Sequence, residues 1–378
     1  MSIEMSAAAT VSKSKNAREV DSLLWQLHCD AAEAVFYLGG LAQATQLLLT
    51  AAELAQGFGQ GDRRLAETLN KLGVLSYYER KHTAAKALVE RSLVLQARTG
   101  EEGVDRARLL YNLAGIYDAC GDHVNAEATS KRACEVLEAS ASQDADLALC
   151  LLQLGEIYLA TDRPVLAIFA LRRALSIMEA RRVEDWITAA ILTRIGDYYV
   201  IQKRPHEADP NYWRALEIRK TLFGEEPPIV KTLDRIVCVY CGQRKFSEAQ
   251  VLQEWAVSIL KKALGPQNPR VLARVMQLAG TMRGQAKLEE VRELFQLSLP
   301  VFEETLGDDD PRLGQIFEHY AEVLRILRDN EGAVEYEGRA RRIQSTHRFL
   351  PPLPEDGQIG TRIDGLVSWA AGGTTPVK

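Results

Sequence analysis

The sequence predicts an all-α fold, a right-handed α-solenoid of about eight stacked helical hairpins. A skeleton of large and small apolar residues returns every 41 or 42 residues. Inside each copy the apolar positions lie three and four apart, which is the period of a helix face and not the alternation of a strand. Between copies stand short linkers rich in Gly, Pro and acidic residues, the usual stop and start signals of helices.

The clearest copy reads Leu110, Leu113, Ala114 and Tyr117, followed by Gly121, Ala126 and Ala133. It returns 41 residues on as Leu151, Leu154, Gly155, Tyr158, Ala167 and Ala174. The next copies are Leu192, Ile195, Gly196, Tyr199, Ala208 and Ala215, then Leu233, Ile236, Val237, Tyr240, Ala249 and Ala256. Upstream the pattern fades through Leu69, Leu72, Gly73, Ser76, Ala85 and Ser92 to Ala31, Ala32, Val35, Gly39, Ala44 and Ala51. Downstream the step becomes 42 through Val275, Leu278, Ala279, Met282, Val291 and Ser298, and the last copy is Phe317, Tyr320, Ala321, Leu324, Ala333 and Ala340. Decay toward both ends is expected where terminal repeats act as caps.

Each part of a copy has a physical task. Residues such as Leu110, Leu113 and Tyr117 line one face of a first helix. The small residue at the fifth place (Ala114, Gly155, Gly196) lets a second helix approach closely, and a polar turn such as Cys120-Gly121-Asp122-His123 follows. Ala126 and Ala133 then form a small-residue stripe on the second helix. A single hairpin cannot bury its apolar face, so hairpins stack on one continuous core. The repeats are expected at about 23–64, 65–105, 106–146, 147–187, 188–228, 229–270, 271–312 and 313–345.

Residues 1–20 read as a flexible polar tail, and 346–378 as a Pro- and Gly-containing tail with apolar anchors Phe349, Leu350, Leu366, Val367 and Trp369. Inside the array, Pro210 is the local oddity, because an interior proline costs about 3 kcal/mol in a helix. Either Asp209 caps a late-starting helix, the favoured reading, or the chain kinks with residues 204–212 as a hinge.

Composition narrows the function classes. The net charge is -5 and no basic run stands out, which argues against a nucleic-acid binder. No stretch approaches the length of a membrane span, no secretory leader is recognisable at the N-terminus, and six scattered cysteines suit a reducing, cytoplasmic setting. Cys238-x-x-Cys241 falls mid-helix with no second ligand pair, so both read as structural cysteines. The six histidines stand singly, and no phosphate-binding loop or nucleophile elbow appears. No catalytic residue, cofactor or metal site is therefore expected.

The skeleton over roughly residues 23–345 resembles the tetratricopeptide repeat. Its 41–42-residue step, with linkers such as Leu306-Gly307-Asp308-Asp309-Asp310-Pro311, is similar to the subtype of kinesin light chains and nephrocystin-like proteins. The resemblance implies a non-catalytic scaffold or adaptor that holds a peptide or helical segment of a partner protein in a concave groove lined by first helices. A regulatory subunit or peptide-sensing receptor, its superhelix changing shape on ligand binding, is the alternative.

Carried onto this chain, the groove residues are Asn70, Val74, Tyr77, Tyr78, Tyr111, Asn112, Leu152, Gln153, Arg194, Asp197 and Arg235. They lack the Lys and Asn array with which chaperone-binding relatives clamp a terminal carboxylate. Arg194 and Arg235, one repeat apart, either pair with an acidic or helical ligand or are solvated and paired with Asp197 or Asp234. A further expectation is that the C-terminal tail docks into the groove or onto a partner through Trp369.

Overall fold

The computed structural model describes residues 2–346 apart from 60–61, 100–102 and 141–144. Apart from one short 3-10 turn, its regular elements are α-helices, and no strand occurs among the described residues. The chain divides into two compact units, one through Val183 and one from Glu184.

The first unit holds α1 (Ser2–Tyr37), α2 (Leu41–Gln56), α3 (Arg63–Tyr78), α4 (His82–Thr99), α5 (Val104–Ala119), α6 (His123–Ala139), α7 (Ala145–Ala160) and α8 (Pro164–Ala180). Each helix packs on the next, and α5 also touches α3 and α7, the first helices of the neighbouring hairpins. The second unit holds α9 (Trp186–Ile201), α10 (Pro205–Phe223), α11 (Val230–Gly242), α12 (Phe246–Leu264), α13 (Pro269–Gly284), α14 (Leu288–Leu306), α15 (Pro311–Ile326) and α16 (Asn330–Thr346), again with each helix on its successor. The fold is the all-α helical solenoid that the period predicts.

The small residues do what their spacing implies. Ala126, Ala133, Ala167, Ala174, Ala208, Ala215 and Ala249 are fully buried. At Gly155 a Cβ would meet the Leu171 side chain at 2.7 Å, and at Gly196 it would meet the Tyr212 ring at 2.4 Å. Only a residue without a side chain allows α7 to lie so close to α8, or α9 to α10.

The turns inside the hairpins share one backbone device. At the end of α3, Lys81 N–H donates to the Ser76 carbonyl and Arg80 N–H to the Tyr77 carbonyl, with Arg80 in the left-handed region at φ 61°. This is the Schellman closure, and it recurs at Gly121, Asp162, Lys203, Arg244, Ala286 and Arg328. The residue following the left-handed one supplies a cation to the tyrosine column: Arg163 stacks on Tyr158, Arg204 on Tyr199 and Lys245 on Tyr240. Between hairpins, Asn268 and Asp310 cap α13 and α15 through the backbone N–H groups of Arg270 and Arg312, with Pro269 and Pro311 at the first helical position.

The structure departs from the sequence expectations at Pro210 and at the N-terminus. Helix α10 starts at Pro205 with Arg204 at its N-cap, so Asp209 caps nothing and Pro210 lies inside the helix. The Asn211 side chain donates to the Glu207 carbonyl at 2.7 Å, satisfying one acceptor in the turn around the proline. The division between units falls after Val183, not at residues 204–212. Pro300 is a second interior proline, within α14. Helix α1 runs back to Ser2, where a polar tail through residue 20 is expected; the run Ala7-Ala8-Ala9 favours helix and neither Gly nor Pro interrupts residues 2–37. The tail from 347 to 378 lies outside the described residues.

Candidate functional site

In the first unit the expected groove residues fall into two sets. Val74, Tyr111, Asn112, Leu152 and Gln153 are buried, so they pack between helices and present no surface to a ligand. Their polar atoms tie hairpins together. Asn112 Nδ2 (α5) donates to Asn70 Oδ1 (α3) at 3.1 Å, and Gln153 Nε2 (α7) donates to the Tyr111 carbonyl (α5) at 3.0 Å. Gln153 Oε1 accepts from Ser130 Oγ (α6) at 3.0 Å. Burial pushes the Tyr111 hydroxyl well above its ordinary pKa, with the Glu156 charge adding to it.

Asn70, Tyr77 and Tyr78 are only half-buried. The Tyr77 and Tyr78 rings meet edge to face at 5.6 Å, and Tyr78 lies 5.1 Å from Phe36. An aromatic cluster with exposed edges at the end of α3 is a surface on which an apolar anchor of a partner could rest.

In the second unit the structure brings Arg194, Asp197 and Arg235 together. Asp197 (α9) accepts from Arg194 Nη1 at 3.0 Å through Oδ2 and from Arg235 Nη1 (α11) through Oδ1. Its Oδ1 also accepts from the Tyr212 hydroxyl (α10) at 2.7 Å. The Tyr212 hydroxyl is held far above its ordinary pKa by burial first and then by the Asp197 charge. One repeat on, Asp234 (α11) pairs with Arg274 (α13) at 2.5 Å, and Arg274 also donates to Gln277. The reading in which the two arginines pair with nearby aspartates therefore holds for Asp197, which takes both.

Two residues of this cluster escape the first-helix columns. Tyr212 and Arg219 come from α10, a second helix. Arg219 Nη1 donates to Thr193 Oγ1 (α9) at 2.8 Å and to Thr232 Oγ1 (α11) at 2.6 Å. Burial, with the charges of Arg235 and Arg194 adding, pulls its pKa down to about 10. A signal was present in the sequence, since Leu137, Met178 and Leu260 occupy the same register position in other hairpins.

The remaining candidates for chemistry stay apart. Cys238 is exposed on α11, and Cys241 Sγ lies 3.9 Å from Thr281 Oγ1. Among the described residues no group of three or more His, Cys, Asp or Glu side chains is placed to hold a metal ion. No helix among them is long and apolar enough to cross a membrane.

With this geometry in view, two family models of the tetratricopeptide repeat match residues 105–180 and residues 188–229 and 230–270. These residues carry tetratricopeptide repeats. That repeat family is typically non-catalytic. No curated protein matches the sequence. Among solved structures, a signal transduction ATPase with a tetratricopeptide repeat sensor from Pyrococcus horikoshii is similar, with a TM-score of 0.63 and 11% identity over 86% of this chain and 48% of that one. The apo quorum sensor NprR from B. thuringiensis is similar at a TM-score of 0.55 and 14% identity, over 90% of this chain and 96% of that one. Kinesin light chain TPR-like repeats from Podosopora anserina align at a TM-score of 0.47 and 21% identity, over 53% of this chain and 96% of theirs. At these identities the likeness concerns the fold of the tetratricopeptide array.

Proposed function

We propose that this tetratricopeptide-repeat chain is a non-catalytic, cytoplasmic interaction scaffold that holds a peptide or helical segment of a partner protein against its first helices. The observation that carries this reading is the preset charge cluster on α9 and α11. Asp197 fixes Arg194 and Arg235 in place at 3.0 Å or less, while the three side chains stay 11–25% exposed. Side chains fixed before a ligand arrives lose little entropy on binding, which is how a rigid repeat surface gains affinity. The half-buried Tyr77–Tyr78 pair supplies an apolar anchor point in the other unit.

Affinity capture with the purified chain tests the reading. Partners recovered by the wild type should be lost with Tyr77→Ala/Tyr78→Ala or with Arg235→Ala, each variant first shown to melt like the wild type. Equal recovery by both variants would remove the first-helix surface from consideration.

A second reading, a peptide-sensing receptor, draws support from the fold likeness to a quorum sensor. Solution scattering with and without a captured partner peptide separates the two, because a rigid scaffold keeps its profile. The tail 346–378 is proposed as a competing occupant of the surface, and its deletion should then tighten partner binding; unchanged affinity would dismiss it.

A further inference from the structure

Arg219 stands where the repeat places a core residue. Along the second helices, in steps of 41 and 42 residues, its position is filled by Leu137, Met178, Leu260 and Phe302, with Ala55 and Gln96 upstream and Gln344 in the last helix. Leu137, Met178, Leu260 and Phe302 are 0–5% exposed, and Gln96 is buried as well. Arg219 is half-buried and is the one charged residue at this register position, where partial desolvation of a cation costs free energy.

The Asp197 carboxylate balances its charge only in part. Among the described residues Arg219 meets two neutral hydroxyls, Thr193 and Thr232, and forms no ion pair. The acidic groups closest in the arrangement are committed elsewhere. Asp197 is held by Arg194, Arg235 and Tyr212, and Asp234 by Arg274. Both threonine hydroxyls hold Arg219 by the same nitrogen, Nη1, which fixes the plane of the fork. The depressed pKa of Arg219 has the same origin, burial plus the repulsion of two neighbouring guanidiniums.

We propose that Arg219, with Arg194 and Arg235 beside it, is an anion-binding residue that takes a carboxylate or phosphoryl oxygen from a bound partner segment. The proposal rests on the scaffold reading above and names the chemistry of the partner. A guanidinium fork matches either oxyanion, and the exchange of water for an anion is most favourable where a cation is already desolvated. The chain as a whole carries a net charge of -5, so general attraction would repel an acidic segment and only a local cluster can draw it in.

Fluorescence anisotropy on the full chain tests this with three labelled Gly/Ser peptides, one carrying adjacent glutamates, one a phosphoserine and one only glutamines. At least one acidic peptide should bind the wild type about tenfold or more tighter than the glutamine peptide. Arg219→Met should lose that preference while keeping its helical melt, since it borrows the residue found at Met178. Arg235→Met, which leaves Asp197 held by Arg194 and Tyr212, should weaken it and serves if the first variant is unstable. Arg132→Met, an exposed arginine paired with Glu135 in the other unit, should change nothing.

Whichever acidic peptide binds tighter names the oxyanion. Equal binding of all three peptides overturns the proposal, and so does equal loss in Arg219→Met and Arg132→Met. Such a failure with partner capture intact removes the anion site alone; a wild type that captures no partner removes the scaffold reading instead.

Discussion

Replacing Gly196 by alanine puts a methyl group into the close contact between α9 and α10. Built on the backbone, that carbon lies 2.4 Å from Tyr212 Cε1 and 2.7 Å from Cδ1. Real side-chain carbons do not approach within 3 Å, so the ring or the helix must move. Tyr212 is only 2% exposed and its hydroxyl donates to Asp197 at 2.7 Å, so the ring has nowhere to go without releasing that bond.

Overpacking of this kind costs about 1–3 kcal/mol. Loss of a hydrogen bond to a charged group adds roughly 1.5–3 kcal/mol if the ring swings away. Against both stands a gain of about 1 kcal/mol from alanine's better helix propensity. The balance is a destabilisation of roughly 2 kcal/mol, or about 4–8 °C in the melting of a unit of this size. Thermal unfolding followed by circular dichroism measures it.

The matched control is Gly280→Ala on α13, where nothing lies within 4 Å of the added carbon. There the propensity term acts alone and should raise stability by up to about 1 kcal/mol. If Gly196→Ala melts at or above the wild type, the close approach of α9 and α10 is not what requires glycine, and the reading of the whole small-residue column falls with it.

Other perturbations give signs of their own. Lys203 sits at φ 57°, so Lys203→Gly should stabilise by about 0.5–1 kcal/mol in a urea titration, because relieved left-handed strain exceeds the added chain entropy. Arg219→Met should melt no lower than the wild type, since it replaces a desolvated charge by the residue its register uses at Met178; a marked loss would mean that the two threonine contacts stabilise the fold. Glu127 is hydrogen-bonded by Arg163 at 2.7 Å and by Lys131 at 2.8 Å, and the Arg163 bond leads in holding its carboxyl below the ordinary 4.5. A depressed acid contributes stability above its unfolded pKa and loses it as the pH falls through the folded value. Glu127→Gln should therefore be less stable than the wild type at pH 7 and converge on it as the pH drops below 4.5, and parallel curves would contradict the assignment.

The hairpins were legible because their determinants are local and repeated. Leu113 and Tyr117 at helical spacing, a small residue at Gly155 or Gly196, and Ala126 with Ala133 state the packing of two helices without reference to anything distant. Helix ends near Pro210 were less legible. Proline forbids one hydrogen bond, but whether a helix starts before or after it depends on Arg204 and Pro205 and on the core that receives Tyr212. The groove was half legible for a related reason. Spacing says that Tyr111, Asn112, Leu152 and Gln153 share a helix with surface residues, but not how far the next hairpin slides over them, and here it covers them.

Arg219 shows how a repeat chain can be made to reveal its own exceptions. Every position in the array has counterparts in other hairpins under similar packing demands, so the chain contains internal controls that a single globular domain lacks. At positions such as Ala174, Ala215 and Ala256 the counterparts agree, and packing explains the residue. Arg219 brings a charge to a position held by Leu137, Met178, Leu260 and Phe302 and, in outer hairpins, by the neutral Gln96 and Gln344, and its neighbours Thr193 and Thr232 accept hydrogen bonds from it without neutralising it. A charge that the packing does not ask for, near enough to feel two arginines that share one aspartate, fits the proposal of an acidic group arriving from outside. An acidic group that meets Arg219 would convert a half-desolvated cation in α10 into the side chain that recognises a partner.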